Sequence, residues 1–267
     1  MSNLVDLYNS AYGNFKEQVL AEIRRETYGE DLGQSSWITV DEYDTFYRWL
    51  GLAPQAHVLE VASGSGGPAL HLARTHKCRI TGIDINDEGL NTARRAAQAA
   101  QIEADFRFAD ADNSLPFEAG SFDAVTCIDS MNHFRDRLHV LCEWHRVLKA
   151  GGRMLFTDPV VLTGPVSSEE LAARSSIGFF LFVPPEVTER FIKNAGFTLL
   201  RREDATGNIE LTSGRWHAAR QRRREDLLKL EGEQRFEGLQ RFLAAVHKLT
   251  RERRLSRFVF VAEKQVP

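Results

Sequence analysis

At five places in the middle of the chain a carboxylate stands where an apolar run stops: Glu60 after Val58-Leu59, Asp84 after Ile83, Asp110 and Asp112 around Ala111, Asp129 after Cys127-Ile128, and Asp158 after Leu155-Phe156-Thr157. Short apolar runs read as buried strands, and a charged group is costly inside one, so these carboxylates gather where strands end. An ionised carboxylate only accepts hydrogen bonds, so a ligand that meets this set is rich in hydroxyl and amino donors and is able to carry positive charge. Between the first two lies Ala62-Ser63-Gly64-Ser65-Gly66-Gly67. Glycines at 64, 66 and 67 permit positive φ and leave backbone bare for a ligand, and the helix that begins near Pro68 presents free N–H groups to it. His133 follows Asp129 and belongs to the one side-chain type that ordinarily titrates near neutrality, which makes it the candidate general base; capping of the turn at 134–136 is the other reading.

The glycine loop fits two kinds of site. Gly64-Ser65-Gly66-Gly67-Pro68-Ala69 matches G-x-G-x-x-G/A, and Asp84 follows about twenty residues on, where a dinucleotide-binding fold holds a ribose. About fifty residues precede the loop, whereas a dinucleotide-binding unit often starts close to the N-terminus, and this leans away from an NAD-dependent oxidoreductase.

Positioning these groups requires a sheet. Strands are predicted over 57–61, 79–84, 105–110, 122–129 and 152–158, alternating with helices over 68–75, 87–100 and 136–149. Such alternation implies an α/β fold with a mainly parallel sheet and ligands at the carboxyl ends of its strands. A helix over 185–195 closed by Gly196 and strands over 197–203 and 257–262 complete it. Before the sheet, Leu4, Leu7, Tyr8, Ala11, Tyr12, Phe15, Val19 and Ile23 recur at helical spacing and predict one amphipathic helix over 4–26. Thr39-Val40-Asp41-Glu42 reads as a capping box opening a helix that ends at Gly51. The apolar cluster at 178–183 reads as core rather than pocket wall.

Residues 57–158 resemble the core of class I S-adenosylmethionine-dependent methyltransferases. Val58-Leu59-Glu60-Val61-Ala62-Ser63-Gly64-Ser65-Gly66 stands as the glycine motif, Gly82-Ile83-Asp84-Ile85 as the second-strand acid, Leu115-Pro116-Phe117 with Ser121-Phe122-Asp123-Ala124-Val125 as the "lPf…sFDvV" segment, and Arg146-Val147-Leu148-Lys149-Ala150-Gly151-Gly152 as the "RVLkpGG" turn. Dehydrogenases have no counterpart of the last two. The chain departs at Ala150, where the family commonly has Pro, and at Ala62-Ser63, where it commonly has Gly-x; neither removes a ligand group.

The resemblance implies a Rossmann-like, doubly wound, mainly parallel seven-stranded sheet with an added helical lid, and S-adenosyl-L-methionine as cofactor. It places Glu60, Ala62, Gly64, Gly66, Asp84, Ile85, Asp110, Ala111, Asp112 and Asp129 around that cofactor. Glu60 accepts from the amino group, or else caps the adjacent loop; Asp84 takes both ribose hydroxyls; Asp110 or Asp112 accepts from the adenine amine, the choice staying open; Ile85 and Ala111 form the slot around the ring. The segment around His133 resembles that of phosphoethanolamine-type and other small-molecule methyltransferases, in which a histidine after the fourth strand partners a lid tyrosine. Tyr12 and Tyr28 are the candidates, and His133 with Tyr28 is the expected catalytic pair.

In the family the last two strands follow closely; here about fifty residues intervene, with Phe236, Leu239, Phe242, Leu243, Val246 and Leu249 marking an amphipathic helix. The expected division is residues 1–50 as an N-terminal lid segment, 51–206 with 256–267 as the methyltransferase core, and 207–255 as a helical insertion completing the lid. Residues 215–254 hold twelve Arg or Lys against six Asp or Glu, although the whole chain carries a net charge of −3, so basic character is local. Arg220-Gln221-Arg222-Arg223-Arg224 reads as a solvated helix face, and no aromatic interleaving or RNA-binding motif suggests nucleic acid. With 43% hydrophobic and 27% charged residues, disorder is excluded. No apolar run is long enough for a membrane span, the first residues lack a secretion signal, and Cys78, Cys127 and Cys142 form no disulfide or zinc pattern and read as reduced core thiols. The expectation is a cytoplasmic monomer or homodimer, without metal, that transfers a methyl group to the N or O nucleophile of a small molecule. The alternative is a non-catalytic binding or scaffold protein on the same fold.

Overall fold

The computed structural model describes residue 5 and residues 7–266; Leu4, which opens the predicted first helix, lies outside the described residues. In chain order the elements before the sheet are α1 (Tyr8–Gly13), α2 (Gln18–Tyr28) and α3 (Val40–Leu50). The sheet is built from β1 (His57–Val61), β2 (Arg79–Asp84), β3 (Ala104–Phe108), β4 (Phe122–Cys127), β5 (Leu148–Leu162), β6 (Phe197–Asp204) and β7 (Leu255–Lys264). Helices α4 (Gly67–His76), α5 (Asp87–Ala100), α6 (Arg137–Val147), α7 (Ser168–Arg174) and α8 (Val187–Asn194) connect the strands, and α9 (Thr206–Arg222), α10 (Arg224–Glu231) and α11 (Glu233–Arg251) fill the gap before β7.

The seven strands lie in the order β3-β2-β1-β4-β5-β7-β6. Neighbours from β3 to β5 are parallel, and β7 runs antiparallel to both β5 and β6. This is the Rossmann-like, mainly parallel α/β architecture. Alternate residues of one strand serve opposite faces: Leu59, Val61 and Val125 join a core with Trp144 and Phe156, while Val58, Ile80 and Ala124 join one with Tyr43, Leu72 and Leu90. Register brings Glu60 beside Gly82 on one side and Thr126 on the other, so β1, β2 and β4 finish at one edge. The chain direction of the sheet order reverses between β1 and β4, where ligands of such folds collect.

The predicted helix over 4–26 is two helices, broken after Gly13-Asn14, a pair of poor helix formers. The break lets α1 lie against α5 while α2 packs on α9. Three helices replace the single one expected in the insertion. They form a helical cap with its own cores, one of Leu7, Trp37, Ile209, Leu239, Phe242 and Val246, another of Ile23, Ala219, Leu227 and Phe236.

Several local expectations are corrected. Thr39 makes no capping hydrogen bond, because Glu42 is turned inward to Arg257 and Asn208. The basic run is a solvated face only in part: Arg220 is buried against Glu231, while the more exposed Arg222 pairs with Glu26, Arg223 reaches Glu22 and Glu26, and Arg224 faces Glu237. The pairs of Arg222 and Arg223 fasten the insertion to α2. All three cysteines are free, but Cys142 is exposed on α6 rather than in the core. Among the described residues no helix is long and apolar enough to cross a membrane.

Candidate active site

The edge where β1, β2 and β4 end opens into a cavity of about 500 Å³. Its floor is the loop after β1. Ala62, Gly64 and Gly66 all take positive φ (57°, 52° and 73°), so the backbone turns back sharply toward the cavity. A Cβ on Gly64 would strike the Tyr12 hydroxyl, and one on Gly67 the Leu32 carbonyl. Ser65 Oγ donates to the Gly33 carbonyl at 2.6 Å, which fixes the loop after α2 over the glycines.

Asp84 stands at the end of β2. Its Oδ2 accepts from the Gly64 N–H and its Oδ1 from the Asn86 N–H, both at 2.8 Å. Burial raises its pKa, and the backbone donors of Asn86, Gly64 and Ile85 work against that rise. A carboxylate has about four lone-pair positions, so acceptor capacity remains for a diol. Ile85 beside it is 64% exposed, an apolar side chain left open at the cavity mouth. Across from it, Ala111 is buried between Asp110, which accepts from the Asp112 N–H and the Asn113 side chain, and Asp112, which accepts from the Arg135 N–H. Both aspartates line the cavity.

Glu60 is the most unusual group here. It is buried, Tyr43 Oη donates to its Oε1 at 3.3 Å, and its Oε2 has no partner. Burial pushes its pKa up to about 8, only partly offset by Tyr43. A buried carboxyl that stays largely protonated at neutral pH and turns an unpartnered oxygen to the cavity is suited to a cation, which would ionise and pair with it.

Asp129 corrects its expected role. Oδ1 accepts from Arg257 Nε at 2.6 Å and from Thr157 Oγ1 at 2.7 Å, while Oδ2 accepts from the Trp37 N–H at 2.8 Å and Arg257 Nη2 at 3.2 Å. Four donors fill the carboxylate, leaving it nothing for a cofactor. Arg257 Nη1 also holds both oxygens of Glu42 at 2.8 Å, so β7, α3 and the end of β4 are latched together.

At the far end of the cavity His133 closes the 3₁₀ turn Met131–His133. A carbonyl oxygen only accepts, so the 3.0 Å contact of Nδ1 with the Phe179 carbonyl places the ring proton there. Nε2 then accepts from Tyr8 Oη at 3.0 Å. Burial is the main reason that the imidazole pKa is pushed down to about 4; the Phe179 carbonyl opposes it and Arg174 adds to it. Burial likewise raises the Tyr8 phenol. Both groups are neutral across the physiological range.

The tyrosine beside His133 is therefore Tyr8, not Tyr28. Tyr28 Oη donates to the Ser36 carbonyl at 2.7 Å, inside the cap, and is not among the residues lining the cavity. Tyr12 lines the cavity but sits over Gly64, away from the imidazole. The signal for Tyr8 was in the chain: Tyr8 and Tyr12 are one helical turn apart, so a helix that brings one to the cavity brings both. The cluster read as core is corrected as well. Phe179 is 43% exposed and lines the cavity, and the ring of Phe180 meets His133 edge-on, because this part of the stretch is held by hydrogen bonds to the His133 turn; only its end, the buried Val183, bridges to β5.

The methyltransferase domain family matches residues 59–156. The chain is 29% identical over 216 residues to 27-O-demethylrifamycin SV methyltransferase of Amycolatopsis mediterranei, covering 76% of this chain and 78% of that protein. It is 27% identical over 199 residues to sarcosine/dimethylglycine N-methyltransferase of Halorhodospira halochloris, covering 74% and 71%. Its fold is that of phosphoethanolamine N-methyltransferase 2 of Haemonchus contortus, solved with phosphomonomethylethanolamine and S-adenosylhomocysteine, at a TM-score of 0.80, 19% identity, and coverage of 97% of this chain and 61% of that one. These similarities support a class I S-adenosylmethionine-dependent methyltransferase, an enzyme that transfers a methyl group from that cofactor. The residues fit the cofactor: the orphaned Oε2 of Glu60 suits an ammonium, Asp84 a ribose diol, and the bare loop a close-lying chain. Of the two uses of the glycine loop, the nicotinamide one falls away.

Proposed function

We propose that the chain methylates a small molecule at nitrogen or oxygen, with the acceptor held between the helical cap and the Tyr8–His133 pair. The observation that carries this reading is the pair itself, which lines the same cavity as the glycine loop. The relatives add support, since their names describe one O-directed and one N-directed enzyme acting on small molecules.

S-Adenosylmethionine, when bound, supplies an electrophilic methyl on a sulfonium. Glu60 would hold its ammonium, Asp84 its ribose, and Ile85, Ala111 and one of Asp110 and Asp112 its adenine. α1, α2 and the insertion act as a lid that excludes water, so that desolvated charges on the sheet edge act at full strength. Tyr8, with its proton directed at His133 Nε2, turns its oxygen lone pairs toward the cavity and orients the N–H or O–H of an acceptor. As that proton leaves, it passes to Tyr8 and the phenolic proton to Nε2. An imidazole whose pKa is about 4 is a weak base at neutral pH. Alignment is therefore the larger contribution, and it is worth about 7–11 kcal/mol in favourable cases.

The experiment is incubation with methyl-labelled S-adenosylmethionine and pooled amine, phenol and carboxylic acid acceptors, read by mass spectrometry. Label in an amine nitrogen or a hydroxyl oxygen is the expected result; label only in carbon or sulfur products would overturn the reading.

A further inference from the structure

Behind the Tyr8–His133 pair lies a second, much smaller cavity, and its walls are unlike those of the first. It has a volume of about 20 Å³ and shares Tyr8, Ser36, Asp129 and His133 with the main cavity. A site needs about 10–15 Å³ to admit one water, so this one takes a single small polar group and no ring. Arg174, at the end of α7, reaches it at 2% exposure. Among the described residues no carboxylate lies within ion-pair distance of this guanidinium, in contrast to the buried Arg137 and Arg257, which are paired with Asp158 and Asp129. Its Nη1 has no hydrogen-bond partner. Ring faces pack against it, Phe180 at 4.7 Å, Phe242 at 5.3 Å and Trp37 at 6.0 Å, and the nearest carboxylates, Asp129 and Asp158, act on it only through space because Arg257 and Arg137 hold them.

The orphaned groups accumulate at this one place. Asn132, 1% exposed and in the same wall, has neither its amide nitrogen nor its oxygen partnered, and Ser36 Oγ is likewise unpartnered. Buried polar atoms are nearly always paired, and a buried guanidinium without an anion is strongly unfavourable, so a cluster of unpartnered polar atoms around a cation points to a ligand that completes it. Burial lowers the Arg174 pKa to about 10, which keeps it a cation at neutral pH.

We infer that Arg174, Asn132 and Ser36 form an anion subsite that takes a carboxylate of the acceptor, so that the substrates of this enzyme are small carboxylic acids bearing a methylatable nitrogen or oxygen. The inference rests on the proposed small-molecule reading and narrows it. With the carboxylate on Arg174, the rest of the acceptor passes Tyr8 and His133, which border both cavities, and reaches the side where the sheet carboxylates hold the cofactor. A cationic or purely apolar acceptor would leave the guanidinium unpaired and is rejected.

The test uses the full chain saturated with S-adenosylhomocysteine and two probes of the same shape, acetate and acetamide, titrated at constant ionic strength with carbon-13 NMR of the labelled carbonyl. Acetate is expected to bind roughly tenfold or more tightly than acetamide, as charge-assisted hydrogen bonds require, and Arg174→Met to abolish that preference while S-adenosylhomocysteine affinity stays unchanged. Equal binding of the two probes to the wild type, or an acetate preference that survives in Arg174→Met, would overturn the inference and leave Arg174 as a cation packed among rings. If Arg174→Met does not fold, the acetate and acetamide comparison on the wild type decides alone. Failure of the chain to bind S-adenosylhomocysteine would count against the cofactor assignment instead, and acetate titrated into the free protein would still report on Arg174.

Discussion

The two walls of the main cavity do different work by different means. The sheet wall is acidic, and most of its groups are fixed by backbone N–H groups of the loops at the strand ends: Asp84 by those of Gly64 and Asn86, Asp110 by that of Asp112, and Asp112 by that of Arg135. The cap wall is aromatic and neutral, and its groups are fixed by partners far away, Tyr8 by His133 and His133 by Phe179. A wall held by loop backbone at the strand ends stays formed when the cap moves, whereas the Tyr8–His133 contact exists only when α1 is docked. The difference teaches that cofactor affinity and acceptor handling are separable, and that the cap is the part to disturb if they are to be separated.

The largest effect is expected at the latch between the walls. Arg257→Met leaves the buried Asp129 and Glu42 without their cation and should cost about 3–5 kcal/mol in urea unfolding. A change below about 1 kcal/mol would mean that cap and sheet are not coupled through this residue.

On the cap wall, His133→Ala removes the acceptor that orients Tyr8 and should lower kcat/KM about 10²-fold, the scale of a misplacement near 1 Å. Cofactor affinity should stay within about twofold, because the sheet wall is untouched. Since the native imidazole pKa is about 4, the wild-type profile should show no acid limb from this group between about pH 5 and 9. A limb near 6.5, the ordinary histidine value, would restore His133 as a strong base with a solvated ring. On the sheet wall the expectation is reversed: Asp84→Ala should weaken S-adenosylmethionine binding roughly 10- to 150-fold, and an unchanged dissociation constant would remove this aspartate from the ribose.

The contrast between the walls also explains what could be read from the chain. The strands, the glycine loop and the place of the acids at 60 and 84 on the cavity are legible because each sits within a few residues of the motif that announces it. The cap was not. Tyr8 and His133 are 125 residues apart, and Tyr28 was taken for the partner although its hydroxyl is spent on Ser36. Asp129 ends its strand as the other acids do, and nothing near it in sequence reveals that Arg257, 128 residues on, has claimed it. The basic run offers local partners for a solvated helix, but Arg222 and Arg223 find theirs, Glu22 and Glu26, on α2. Periodicity gives the helical stripe of 4–26 but not the break after Gly13, which is decided by docking on two different surfaces.

The account turns on Glu60 as the group that makes the sheet edge a cation site, and its pH dependence tests that most directly. In the free protein its pKa of about 8 lies above the ordinary carboxylate value, so the stability this group contributes is present at low pH and is lost as pH rises through about 8. A bound ammonium reverses the preference and ionises the carboxyl. Calorimetric titration of S-adenosylhomocysteine, which carries the same ammonium, should be made at several pH values between about 6 and 8, in buffers of different ionisation heat. The account predicts release of about one proton per site near pH 7 and an affinity that tightens by up to about tenfold per pH unit below 8, both absent in Glu60→Gln. No proton release and one affinity across this range would contradict it.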